Sequence, residues 1–203
     1  MNLLTPSLAL RDFRMDDLEA LTEYNNHAEV HRYESEHIPD QAANQAYLEH
    51  VVRWAGEDPR TTYALAVTLQ DSQASSFAPD TPVGRVSLTL LSPRIRLWEI
   101  GWTIHPRLWG RGYATEAAGG LLRFAFHSLG AHRVVAFCNV NNRASVRVMQ
   151  KLGLRCEGRL REERYWNGAW CDEFVYAILD QEFSQPASAF PQGREAPEGC
   201  EET

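Results

Sequence analysis

The stretch Arg107-Leu-Trp-Gly110-Arg111-Gly112-Tyr113-Ala114 carries residue types that hold phosphate. Glycines let a backbone approach a ligand closely and adopt positive φ. A helix starting just after Gly112 would offer unpaired N–H groups at the positive end of its dipole. Arg107 and Arg111 add full charges that can fork onto phosphate oxygens. A plain tight turn between two elements would use the same glycines, so the pattern alone leaves both readings open. Two common nucleotide loops fit poorly. A Walker loop ends in Gly-Lys-Ser/Thr, whereas Gly112 is followed by Tyr113 and Ala114. A dinucleotide loop needs a third glycine where Thr115 stands, and an acid about 20 residues on. No acid occurs between Glu116 and Glu157.

The flanking elements are legible. Trp98, Ile100, Trp102 and Ile104 alternate with Glu99, Gly101 and Thr103, the period of a strand. Ala114, Ala117, Ala118, Leu121, Leu122, Ala125 and Leu129 form an apolar stripe at helical spacing, with Gly130 as its stop. Residues 133–140 are nearly continuously apolar, as in a buried central strand. Asn141 or Asn142 can cap a following helix, with Ala144, Val148, Met149 and Leu152 inward and Gly153 ending it.

The order of these parts, Arg107-x-x-Gly110-x-Gly112, Asn142-x-x-Ser145 and Lys151-Leu-Gly-Leu154, together with the phrases EIGWTIHP and YATEA, resembles the GCN5-related N-acetyltransferase superfamily. The likeness is greatest to the RimJ/RimL-like ribosomal-protein branch and covers about residues 8–182. It implies an α/β fold: a mixed, mostly antiparallel sheet of six to seven strands with about four helices on its faces. The sheet would splay between the family's fourth and fifth strands, here residues 97–104 and 133–140. The domain would span 1–183, and the Pro-, Gly-, Ser- and Glu-rich residues 184–203 read as a disordered tail.

The resemblance further implies acetyl transfer from acetyl-coenzyme A to an amine, without a metal. The diphosphate would lie on the N–H groups of Gly110, Arg111, Gly112, Tyr113 and Ala114, with Arg107 nearby. The pantetheine arm would pair with the backbone near Thr103 and Ile104. A bulge is expected around Ile104-His105-Pro106, where Pro106 ends the pairing. Asn142 would orient a pantetheine amide or simply cap its helix. Many members use a tyrosine to protonate the departing thiolate; Met149 stands there, and a thioether cannot donate. In the ribosomal-type branch the serine of Asn-x-x-Ser takes that role, which Ser145 matches. Its bland alternative is a hydroxyl bonded within its own helix.

The amine must be neutral to attack. A lysine is neutral in roughly one molecule in 2,500 at pH 7, an α-amine in roughly one in seven, so an N-terminal acceptor demands less of a base. Glu99 is the candidate base, against an edge ion pair as its alternative. Glu116 is the rival acid, but first-turn placement suits a dipole role. A small amine (polyamine or antibiotic) or a non-catalytic acyl-CoA-binding module remains an alternative, and the resemblance allows a homodimer.

Residues 85–165 carry fourteen Arg and Lys against five acids, although the whole chain has net charge −7. The basic middle suits an anionic ligand and the acidic flanks a cationic acceptor. Direct nucleic-acid binding is not expected, for want of a basic helix or aromatic platform. No apolar run approaches a membrane span and no leader is visible, so a cytoplasmic protein is expected. The four cysteines lack Cys-x-x-Cys spacing; Cys138 reads as a buried hydrophobe and Cys200 as an exposed thiol. His27, His31 and His37 have no fixed acid partner in sequence, and a solvated loop or helix end is favoured over a metal site.

Elsewhere, residues 7–13 read as the first strand. Asp16 would cap a helix burying Leu18, Leu21 and Tyr24, and Asp40 would open another with Tyr47, Leu48, Val51, Val52 and Trp54 on its apolar side. Residues 61–69 and 83–91 read as antiparallel neighbours joined by a loop. Residues 155–165 and 170–179 read as a hairpin turning at Asn167-Gly168. Tyr165, Trp166 and Trp170 either border the acceptor cleft or serve core packing.

Overall fold

A computed structural model describes residues 1–33, 40–71, 76–166 and 168–183. The chain runs β1 (Asn2–Leu4), β2 (Leu8–Asp12), α1 (Leu18–Asn25), α2 (Ala28–His31), α3 (Gln41–Ala55), β3 (Thr62–Leu69), β4 (Pro82–Ser92) and β5 (Leu97–Ile104). It continues through α4 (Tyr113–His127), β6 (Arg133–Asn139), α5 (Arg143–Lys151), β7 (Arg155–Trp166), β8 (Ala169–Leu179) and α6 (Asp180–Phe183). Single 3₁₀ turns occupy Met15–Asp17 and Pro106–Leu108. The expected hairpin position Asn167, His37, Cys200 and the tail 184–203 lie outside the described residues.

The eight strands form one sheet in the order β1-β2-β3-β4-β5-β6-β8-β7. Every pair is antiparallel except β5 with β6. The sheet exceeds the expected six to seven strands because β1 adds a three-residue edge, too short to show a period in sequence.

The parallel pair is brief. It joins Leu97 to Arg133, Trp98 to Val134 and Glu99 to Val135, and then the strands part. β5 stays bonded to β4 out to Gly84 opposite Ile104, while β6 stays bonded to β8 along its whole length. The sheet is therefore two pieces hinged at one short seam.

The expected bulge at the end of β5 is absent. The irregularity between β4 and β5 lies at Leu90/Ser92, at the opposite end, and His105 N still donates to Val83 O at 2.8 Å before Pro106 stops the ladder. Gly84 explains why no bulge is needed. A Cβ there would come within 2.3 Å of the Thr103 carbonyl oxygen, so the bare backbone lets β4 and β5 close tightly. The fork opens because β6 follows β8.

Helix α4 buries Ala117, Ala118, Leu121, Leu122 and Ala125 against one face of the sheet, beside Val146 and Met149 of α5. Each buried leucine contributes roughly 1.5–3 kcal/mol. In α5 the buried residues are Met149, as expected, and Val146; Ala144, assigned inward from sequence, is exposed. With only nine residues, the helix samples too few turns for its stripe to be phased from sequence. Helices α1 and α3 cover the other face over β3, where Leu21, Tyr24, Leu48, Val51, Ala64 and Ala66 form a second core.

Asp40 caps α3 as expected, accepting from Ala43 N at 2.7 Å. Asp16 does not cap α1. Asp17 is the working acid, buried, forked by Arg11 at 2.8 Å on each oxygen and accepting from Arg14 N. Arg11 also bonds Asp80, tying β2 to the residues just before β4. Among the described residues no helix is long and apolar enough to cross a membrane.

Adding a methyl group at Gly84 forces backbone against backbone. Gly84→Ala is expected to destabilise the fold by about 1–3 kcal/mol, read as a fall in the thermal unfolding midpoint by circular dichroism. An unchanged midpoint would remove the close-approach explanation for the unbulged β5.

Candidate active site

The mouth of the fork meets the glycine turn. Gly110 and Gly112 have φ of +78° and +87°, which L side chains rarely adopt, and a Cβ on either would project into open space. That space lies in front of α4. The ladder of α4 begins with Glu116 N donating to Gly112 O at 2.9 Å. The N–H groups of Tyr113, Ala114 and Thr115 precede it and have no intrahelical acceptor. Gly110, Arg111 and Gly112 are exposed, and Tyr113 and Ala114 half-buried. The turn and the start of α4 thus present backbone donors beside open space.

Two charged residues near the cradle have structural partners. Arg107 stacks 5.0 Å from the Phe77 ring centre and donates to the Ser76 hydroxyl, so it braces the preceding loop. Glu116 accepts from Thr5 Oγ1 and Ser7 N, each at 2.6 Å, fastening the β1–β2 turn to the first turn of α4. That tie, more than a dipole effect, accounts for the acid at this position.

Alternation along β5 decides which peptide groups face the fork. His105 bonds to β4, so the N–H and C=O of Ile104 and Trp102 point the other way. Thr103, named from sequence with Ile104 for backbone pairing, turns its peptide group to β4 and is buried. The Ile104 carbonyl is already met by Trp109 Nε1 at 2.6 Å, a contact that sequence reading missed.

Glu99 stands at the vertex, in the last register pair before the strands part. It is half-buried, and burial pushes its carboxyl upward, opposed by the charge of Arg164. Register puts Glu173 of β8 and Arg164 of β7 on the same sheet face. Glu173 accepts from Arg164 Nε at 2.9 Å. Its carboxyl is nevertheless raised: burial outweighs a guanidinium that is half in water. Sequence reading missed Glu173, although an acid entering the apolar run 174–179 was a visible signal.

Asn142 caps α5, its Oδ1 accepting from Ser145 N at 3.1 Å. Ser145 and Asn142 are both half-buried in the first turn, while Met149 is fully buried. The exposed Tyr165 and Trp170 pack edge to face on each other at the hairpin end, 5.2 Å apart.

A histidine group lies at the far end of β5. His105 is fully buried between the rings of His27 and Phe77, each 4.9 Å away. Its Nδ1 accepts from Arg107 N at 3.1 Å, and its Nε2 meets Glu23 Oε1 at 3.0 Å. The donor atoms of Glu23, His27 and His105 lie within 4.8 Å of one another, which invites a metal reading. The hydrogen bonding opposes it. With Nδ1 accepting, the ring proton sits on Nε2 and donates to Glu23, leaving no lone pair for an ion. The trio acts as a bolt from α1 to the end of β5. His31 instead contacts the Asn25 carbonyl.

Cys138, on β6 beyond the seam, has its thiol pushed up to about 12, first by burial and then by Glu173. At pH 8 only about one molecule in ten thousand would carry its thiolate. Alkylation of the folded protein followed by peptide mass mapping is therefore expected to modify the more accessible Cys171 and spare Cys138. Rapid labelling of Cys138 would contradict the buried placement.

Comparison with known proteins agrees with this architecture. Residues 7–155 match the acetyltransferase (GNAT) domain family. The uncharacterized N-acetyltransferase YnaD of Bacillus subtilis is 29% identical over 91% of this chain and all of its own length. The ribosomal-protein-serine acetyltransferase of Escherichia coli is 27% identical over 68% of this chain and 83% of its own. A GNAT-family acetyltransferase structure from Bacillus anthracis superposes with a TM-score of 0.76 at 28% identity, covering 90% of this chain and all of that one. With the forked sheet and the glycine turn before α4, these matches make the chain a member of the GNAT family and an N-acetyltransferase.

Proposed function

We propose that the protein transfers acetyl from acetyl-coenzyme A to a primary amine by direct attack, and that the acceptor is the N-terminal α-amine of a protein or peptide. The observation that carries this reading is the fork, with Glu99 at its vertex and the glycine cradle at its mouth. The cradle donors suit a diphosphate. The slit-facing peptide groups of Trp102 and Ile104 suit an amide-bearing arm. The matched relative named for a ribosomal-protein serine supports a protein acceptor.

In this reading the Glu99 carboxylate takes a proton from the acceptor ammonium, directly or through water. The neutral nitrogen then attacks the thioester carbon. A slit-facing backbone N–H of β5 steadies the oxyanion. As the carbon–sulfur bond breaks, the proton that the new amide nitrogen sheds passes through the Ser145 hydroxyl to the departing thiolate. Asn142 holds the turn that presents Ser145. An α-amine is the acceptor a single carboxylate serves best, because a usable fraction is neutral before the base acts.

Calorimetry with acetyl-coenzyme A, followed by a screen of free-α-amine peptides against polyamines and aminoglycosides, tests the reading. Binding and transfer to peptides are expected. Transfer to small amines alone would favour the small-molecule alternative, and tight binding without transfer to any amine would favour a non-catalytic module. Glu99→Gln is expected to lower kcat by about 10²–10⁴-fold with acetyl-coenzyme A affinity unchanged. The active form of Glu99 is the carboxylate and burial raises its pKa, so activity should be lost as pH falls through a value above the ordinary glutamate range. An acid limb at or below that range would remove Glu99 as the base.

A further inference from the structure

Strand β7 departs from regular pairing beside the proposed acceptor side. Between Leu160, opposite Glu173, and Arg164, opposite Cys171, it carries extra residues that β8 does not match. The bulge is held by Asp172, which accepts from Glu162 N at 2.8 Å and from Arg159 Nε at 2.6 Å. Glu162 there takes φ +53°. Bulges re-aim the side chains that follow them. Here the side chain that follows is Arg164, directed onto Glu173.

The two partners of this ion pair are unequal. Glu173 is 6% exposed, whereas the Arg164 side chain is 51% exposed. A buried carboxylate cannot be left without a cation at modest cost. A half-solvated arginine can leave at little cost, because water receives its guanidinium. Glu173 also shares its sheet face with Glu99, whose charge is the least of the causes that raise the Glu173 carboxyl. A cation approaching Glu99 along this face would meet a buried carboxylate whose present partner is half in water.

We propose that Arg164 and Glu173 form a displaceable ion pair, in which Glu173 receives the cationic amine of the acceptor and Arg164 holds its place in the free protein. The exchange swaps one cation for another on the same carboxylate, so binding the acceptor does not leave the buried charge unpaired. It selects primary ammonium over neutral nucleophiles such as alcohols, which would strip Arg164 from Glu173 without replacing its charge. Glu99, nearer the seam, then removes the proton. This inference deepens the proposed function and rests on it.

The test compares Glu173→Gln and Arg164→Gln at pH 8.5, using a peptide with a free N-terminal serine and its N-acetylated form as control. Acetyl-coenzyme A affinity is measured separately by calorimetry. Glu173→Gln is expected to raise the acceptor KM about 10–100-fold, the size of a lost charged hydrogen bond, with little change in acetyl-coenzyme A affinity. Arg164→Gln is expected to lower the acceptor KM several-fold by removing the competitor. Opposite signs are the signature. A structural tie would shift both variants the same way, and that result, or an unchanged KM in Glu173→Gln, overturns the proposal while leaving acetyl transfer intact. Should Glu173→Gln fail to fold, Glu173→Asp keeps the charge and is expected to raise KM less; no rise with Asp, in a variant shown folded by circular dichroism, also overturns it. If the wild-type protein binds acetyl-coenzyme A yet acetylates no amine, the functional reading falls and this inference falls with it.

Discussion

Competition for β6 governs this protein. A strand has two edges, and β6 spends one of them on β8 along its full length. On the other edge it reaches β5 through only three register pairs. Beyond Glu99 the two halves of the sheet follow their own twist, and the peptide groups of β5 that would have bonded to β6 are left facing a gap. Such groups need partners. One, the Ile104 carbonyl, is met by the Trp109 indole; the arrangement otherwise suits a ligand with amides of its own.

The rest of the molecule keeps that gap in shape. Gly84 allows β4 to draw β5 away from β6 without a bulge. The His105–Glu23 contact bolts the end of β5 to α1, and the Glu116 contacts with Thr5 and Ser7 pin the first turn of α4 to the β1–β2 turn. Each tie crosses a long sequence distance, and each ends at a wall of the cleft. One sheet face carries Glu99 at the seam and Glu173 farther along it, paired with Arg164. In the proposed reading an anionic donor and a cationic acceptor are directed to different sides of one opening, in keeping with a basic centre and acidic flanks along the chain.

Much of this was legible in the chain itself. Alternation in β5, the stripe of α4, the apolar run of β6 and the capping positions Asp40 and Asn142 are local signals, and local hydrogen bonding and burial set them. The glycine turn was readable for the same reason, since positive φ at Gly110 and Gly112 is a demand on single residues. The cap assigned to Asp16 belongs to Asp17, because Arg11, a neighbour only after β2 folds back, claims Asp17. The bulge expected at the end of β5 is likewise absent, because the close approach of Gly84 comes from another strand.

By itself, then, the sequence determined most of the elements, their order and the candidate residues for holding phosphate and moving a proton. Those properties depend on spacing within a dozen residues. The tertiary structure alone decided where the sheet divides, which peptide groups of β5 face the division, and that Glu99, Glu173 and Arg164 share one face. Those depend on register between strands far apart in the chain, where a shift of one residue would turn every side chain to the other side.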